Sequence, residues 1–332
     1  MKKILTHLFQ HQKLSRSEAK ETLIHISKGA YNEAQVAAFI TVFQMRPISE
    51  HELQGFSEAM LELCIPVDLA GMPTIDLCGT GGDNKNTFNI STLSSFVVAG
   101  AGYKVTKHGN YGVSSKCGSS DLLETVGYRF TNDVDQLKRQ LDKSNICFLH
   151  APLFHPAMKA IAPIRKQLGV KTFFNMLGPL VNPTQPIYQV AGVFSLELAR
   201  LYTYIFMQRP GKRFAVIHSL DGYDEISLTG DFKMKTQSGD FMLNAKDLGL
   251  DNVKAEAIHG GETKDDAAAI FMQVLKGTGS PSQVAAVSAN AGAAIHVFDP
   301  GLSIKDAILK AKESIESGSA YDSFKNLISL TV

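Results

Sequence analysis

The chain of 332 residues contains no apolar stretch long enough to cross a bilayer and no run rich in lysine or arginine. A spanning helix needs about 20 consecutive apolar residues, so a membrane protein is not expected. The net charge is only +1, which leaves no electrostatic footprint for nucleic acid or an anionic lipid surface. The four cysteines, Cys64, Cys78, Cys117 and Cys147, form no CxxC pair. Reduced thiols in a cytoplasmic protein are therefore expected rather than a disulfide framework or a zinc site. The N-terminus, MKKILTHLFQHQK, opens with two lysines but lacks an apolar h-region and a small-residue cleavage site, so no secretion signal is expected. Internal repeats and low-complexity segments are absent too. What remains is a composition with 44% hydrophobic and 20% charged residues, that of a soluble globular protein. Its length would ordinarily divide into two domains.

The organisation changes near residue 70. Ser15 with Glu18, Asn32 with Gln35, and Ser49 with Glu52 resemble capping boxes that open helices. Val36, Phe39, Ile40 and Phe43 recur at helical spacing. Pro66 and Gly71-Met72-Pro73 mark a boundary. Beyond it, strand-like runs at 74–78, 104–107, 146–149 and 214–218 alternate with helix-length segments. That alternation predicts a mainly parallel sheet flanked by helices. A hairpin is expected over 233–243, and helices over 281–297 and 303–317.

Residues 79–92, GTGGDNKNTFNIST, carry the densest chemistry. A strand, a glycine-rich turn and a Ser/Thr-led helix start form an arrangement that binds phosphate. Gly79, Gly81 and Gly82 permit close approach of backbone to ligand, and Asn89, Ser91 and Thr92 place donors at a helix start. A tight turn with a good helix cap is the plainer alternative. No Gly-Lys-Ser/Thr closes the motif, so it is not a P-loop, and its glycine spacing is not the dinucleotide fingerprint.

Three further segments must converge on the same ligand. The first, KHGNYGVSSKCGSSDLLE (107–124), offers Lys107 as a point charge, His108 and Asn110 as directional donors, and hydroxyls at Ser114, Ser115, Ser119 and Ser120. It also reads as a polar loop before a capped helix. The second, 155–183, contains Arg165, whose planar fork suits a carboxylate, although a lone arginine is more often simply solvated. The third, Asp221-Gly222-Tyr223-Asp224-Glu225, reads either as an exposed acidic turn or as a Mg²⁺ site, since magnesium takes a few carboxylates plus phosphate oxygens and water.

Taken together, GTGGD…TFNIST, KHGN, the Arg165 segment and the Asp-Glu pair resemble the anthranilate phosphoribosyltransferase family, over essentially the whole chain. The resemblance implies an α/β fold of the nucleoside phosphorylase and phosphoribosyltransferase type with a separate all-α N-terminal domain. The helical domain is expected over 1–70, joined by part of 160–185, and the α/β domain over 71–332. The implied reaction transfers the phosphoribosyl group of phosphoribosyl pyrophosphate (PRPP) to the amine of anthranilate, in tryptophan biosynthesis. The donor would be held by Gly79, Thr80, Gly81, Gly82, Asp83, Thr87, Asn89, Ser91, Thr92, Lys107 and Ser119. Lys107 would also act electrostatically, with no side chain serving as nucleophile. The aromatic amine would be faced by Gly79, His108, Asn110 and Arg165. Two Mg²⁺ per subunit would rest on Ser91, Asp224 and Glu225, in a cytoplasmic homodimer. Relatives sharing the architecture but not the chemistry are pyrimidine nucleoside phosphorylases and a non-catalytic nucleic-acid binder. In two places the chain departs from the family: Tyr111-Gly112 stands where many members have arginine after KHGN, and Asn84 where many have glycine.

Overall fold

The computed structural model describes residues 1–112 and 116–331. Four helices open the chain: α1 (Lys2–Phe9), α2 (Arg16–Ser27), α3 (Glu33–Met45) and α4 (Glu50–Leu63). There follow β1 (Ile75–Gly79), α5 (Ile90–Gly100), β2 (Val105–Gly109), α6 (Ser119–Thr125), α7 (Val134–Ser144) and β3 (Ile146–His150). Next come α8 (Ala151–Phe154), α9 (Ala162–Leu168), β4 (Tyr188–Gly192), α10 (Leu196–Met207), β5 (Arg213–Ser219), β6 (Phe232–Thr236) and β7 (Gly239–Leu243). Four helices complete the chain: α11 (Lys264–Leu275), α12 (Pro281–Phe298), α13 (Ile304–Glu316) and α14 (Ser319–Ser329). None is long and apolar enough to cross a membrane.

Two compact units result, one of Met1–Val67 with Ala151–Gln185, the other of Asp68–His150 with Pro186–Val332. In the helical unit the capping signals act as they read. Ser15 and Ser49 each accept from the backbone three residues on, and Glu18 and Glu52 reach back to complete the boxes; Asn32 caps α3 through Gln35 N–H. Its core is aromatic. Phe39, Phe43 and Phe56 meet edge to face, and Phe173, from the second segment, stacks on Phe56 with ring centres 4.5 Å apart.

Glu52 ties that unit together. It is fully buried and accepts from Leu14 N–H (3.0 Å), Ser49 N–H (2.9 Å), Ser49 Oγ (2.7 Å) and both terminal nitrogens of Arg46 (3.0 and 2.5 Å). Burial pushes its carboxyl up, but the Arg46 fork and the N–H donors outweigh it and hold it below the ordinary value.

The α/β unit carries a seven-stranded sheet ordered β3-β2-β1-β4-β5-β6-β7. The first five strands are parallel, and the β6–β7 hairpin adds an antiparallel edge. Strands β1, β3 and β5 are buried almost throughout, as parallel strands covered on both faces must be. Phe96 of α5, Phe148 of β3, Phe271 of α11 and Phe324 of α14 interlock in its core. From β1 the chain steps outward to β2 and β3, then β4 pairs on the other side of β1. The direction of winding therefore reverses between β1 and β4. Ligands of open α/β sheets bind at such a switch point, beyond the carboxyl ends of the strands.

Strand β4 is missing from the expectations above. Tyr188-Gln189-Val190-Ala191-Gly192 holds a buried glutamine and a terminal glycine, so it shows neither alternation nor a β-branched run. Its place comes from pairing with β1 and β5.

Candidate active site

At the switch point, the turn after β1 meets the loop after β5. Gly81 and Gly82 have positive φ (61° and 83°), the conformation glycine supplies without a steric penalty. Asn84 has φ of 59°, and asparagine is among the few non-glycine residues that take this conformation readily. Asn84 thus stands in a conformation that glycine would also adopt.

Two N–H groups of the turn are already engaged. Gly81 N–H donates to Asp224 Oδ2 (2.8 Å) and Thr80 N–H to Gly192 O (2.9 Å). What the turn leaves open are side chains. Thr80 Oγ1, Thr92 Oγ1 and Asp83 Oδ2 are buried without a hydrogen-bond partner, an arrangement that a polar guest would satisfy. Helix α5 begins here. The Asn89 side chain donates to Cys117 O (3.0 Å), so the start of α5 lacks a side-chain cap, although Ile90 N–H donates to Phe88 O and Thr92 N–H to Asn89 O. The plainer reading, a turn with a good cap, does not describe this helix.

Asp224 and Glu225 lie beside the turn. Thr87 Oγ1 donates to Glu225 Oε2 (3.2 Å). Gly192, at the end of β4, lies so close to Asp224 that an added Cβ would come within 1.7 Å of the Asp224 carbonyl oxygen. Only glycine fits there. Burial, reinforced by Asp83, pushes the Asp224 carboxyl up to about 7. Burial, then Asp224 and Asp83, raises Glu225 well above its ordinary value, and Asp83 is raised by burial. Three acids thus crowd one place, and among the described residues no cation forms an ion pair with them. A cavity of about 20 Å³, room for one water- or ion-sized guest, is lined by Gly79, Ser91, Gly192, Asp224 and Glu225 among others. Among the described residues no three acidic, histidine or cysteine side chains close a metal site on their own. Magnesium bound through one or two carboxylates, with substrate phosphate and water completing its shell, needs no such set.

Lys107, on β2, is buried. Its Nζ donates to Leu77 O and lies 3.5 Å from Ser91 Oγ, so its charge sits beneath the glycine turn instead of projecting from the loop. His108 N–H donates to Asp76 Oδ1 (3.1 Å), while Asn110 is exposed. Ser119 Oγ donates to Asn110 O (3.3 Å). Tyr111, at the second departure from the family, is anchored by its hydroxyl to Glu124 Oε1 (2.8 Å) and by its ring, edge-on, to His150 (4.9 Å). Ser114 and Ser115 lie outside the described residues.

Arg165 belongs to the helical unit, on α9. Its Nη2 donates to Asn175 Oδ1 (3.2 Å) and its guanidinium lies over the Phe174 ring at 5.3 Å. Burial lowers its pKa. No carboxylate pairs with it among the described residues, so a half-buried cation has only neutral partners. Sequence reading missed Gly192, and it listed Asp83 as a donor contact without placing it in the acid cluster. Gly192 carries no local signal, and the motif gives Asp83 no signal of its distant acid neighbours, because those contacts join loops far apart in sequence.

A helical bundle followed by an α/β unit is the domain pair of a glycosyl transferase family. The family's helical bundle domain matches residues 2–64 and its a/b domain residues 71–321. The anthranilate phosphoribosyltransferase of Cytophaga hutchinsonii is 54% identical over 99% of this chain and the whole of that protein. The Thermus thermophilus enzyme of that name superposes with a TM-score of 0.89 at 32% identity, covering 98% of both chains. The Saccharomyces cerevisiae enzyme, solved with PRPP and Mg, gives 0.91 at 28% identity over 98% of this chain and 96% of that one. The chain belongs to the anthranilate phosphoribosyltransferase family.

Proposed function

We propose that the turn after β1, the start of α5 and the Asp224-Glu225 loop hold the diphosphate of PRPP with magnesium, and that Arg165 takes the anthranilate carboxylate. The activity is transfer of the phosphoribosyl group from PRPP to the anthranilate amine, releasing diphosphate. The observation that carries the site assignment is the set of open polar groups at the switch point: Thr80 and Thr92 hydroxyls, an uncapped α5, and the crowded acids around a small cavity.

The residues fit magnesium on these grounds. Asp224 and Glu225 would hold it, with Ser91 nearby for a second ion, and its charge would neutralise the departing diphosphate. The chain's own part is positioning. Thr80, Thr92 and the α5 start orient the diphosphate so that the ribose carbon faces the amine. Lys107 adds positive charge beneath it. As the C1–O bond breaks with oxocarbenium character, its electron pair leaves on diphosphate, and the amine lone pair forms the new C1–N bond. The ammonium proton is then released. His108 and Asn110 steer the amine, and no protein nucleophile is required. The functional enzyme is a homodimer in the cytoplasm, and its product serves tryptophan biosynthesis.

Loss of anthranilate fluorescence on adding PRPP and Mg²⁺ tests the proposal directly. Turnover that requires both supports it. A folded protein with no turnover, or one that instead cleaves thymidine or uridine with phosphate, overturns it.

A further inference from the structure

Two donor loops are expected to act on one diphosphate, and they are separated by some thirty positions in the chain. Their spacing depends on what bridges them. The turn Ile258–Lys264, which no site assignment includes, contacts both. Towards the first loop, Phe88 N–H donates to Ile258 O (3.2 Å), Gly260 N–H to Asn86 O (2.7 Å), and Thr87 bridges His259. The Asn86 side-chain amide donates to Gly261 O (2.7 Å) and lies 3.2 Å from His259 Nε2. Towards the second, Lys264 Nζ pairs with Asp121 Oδ1 (2.5 Å), and Lys116 pairs with Glu262. The other oxygen of Asp121 accepts both Gly112 N–H (2.8 Å) and Gly118 N–H (3.0 Å), the two feet of that loop. Asp266 in turn fixes the brace by accepting Glu262 N–H (3.0 Å) and Thr263 N–H (2.9 Å) at the start of α11.

We propose that the turn Ile258–Lys264 is a positioning element that sets the spacing of the two donor-binding loops, acting through Asn86 on one and through the Lys264–Asp121 pair on the other. It touches neither substrate. Its effect is preorganisation: loops already held at the right separation lose less freedom when the diphosphate binds. The proposal rests on the reading of these loops as the PRPP site. It places the functional unit of the loops some way along the chain from either motif.

Titration calorimetry of the full-length protein with inorganic diphosphate in excess Mg²⁺ tests it. Lys264→Met and Asn86→Ala should each bind about tenfold more weakly, the scale of effect of groups that orient ligand-binding residues. Both should raise the KM for PRPP while leaving the KM for anthranilate unchanged, a split that general loss of stability would not give. Lys264→Arg, which keeps the ion pair, should bind like wild type. So should Lys325→Met, which removes a surface lysine paired with Asp322 and set over the Tyr321 ring, on α14. Wild-type affinity in both Lys264→Met and Asn86→Ala would sink the inference alone. Failure of the wild-type protein to bind diphosphate would overturn the donor-site reading and this inference together.

Discussion

Both units bury carboxylates, and they treat them in opposite ways. In the helical unit Glu52 has five donors, two of them from the Arg46 cation, and its carboxyl is held below the ordinary value. In the α/β unit Asp224, Glu225 and Asp83 crowd together and all three are pushed up. The first is an acid whose needs the chain meets. The second is a set of acids given a few neutral donors and, among the described residues, no ion-paired cation. Burial alone therefore does not mark a functional acid; the balance of partners around it does.

The largest expected effect breaks the second set. Replacing Asp224 by Asn together with Glu225 by Gln should lower turnover by about 10³-fold, the scale of losing charge stabilisation at a leaving group. A titration of activity against Mg²⁺ checks it, and an unchanged metal profile would remove both residues from the site. Glu52→Gln should instead cost about 3 kcal/mol of stability in urea, because Arg46 is left buried without its partner. The folded fraction should keep its KM values. Arg165→Ala should raise the KM for anthranilate by about 50-fold, comparable to losing a charge-assisted bidentate pair, and that for PRPP far less; equal changes would separate Arg165 from carboxylate recognition.

Acidity sharpens the contrast further. Asp224 binds its proton more tightly folded than unfolded. Its contribution to stability is therefore fully present below the ordinary 3.8 and is lost as pH rises toward about 7. Glu52 runs the other way, stabilising above the ordinary 4.5 and losing that contribution as pH falls through its lower folded value. Melting temperatures without divalent cations should fall through the α/β acids as pH rises from about 4 toward about 7, and added Mg²⁺ should restore them most near neutrality. The smallest effect concerns Asn84. Asn84→Gly should leave PRPP affinity unchanged, whereas Asn84→Val should cost about 1 kcal/mol through its left-handed backbone, read as a weaker KM for PRPP.

Much of the site was legible because its chemistry is local. The glycine turn, the donors at the start of α5 and the Asp-Glu pair each lie within a few residues of one another. The helix starts were legible for the same reason, since Ser15, Asn32 and Ser49 act over one turn. Strand β4 was not, because Gln189 and Gly192 hide a central strand whose place is set by neighbours on both sides. The occupation of the Gly81 N–H by Asp224 was equally hidden, as it joins two loops far apart in sequence. The capped-turn reading failed for a related reason: whether Asn89 caps α5 depended on the distant carbonyl of Cys117.

The stack of Phe173 on Phe56 has a consequence in time. During synthesis α1 to α4 leave the ribosome first, and β1, β2 and β3 must follow before Phe173 exists. The helical unit is thus contiguous in space but interrupted in the order of its making. Its aromatic core closes late, and until then the faces of Phe39, Phe43 and Phe56 stand without their last ring. The nascent chain begins its first unit and finishes it only after starting the second.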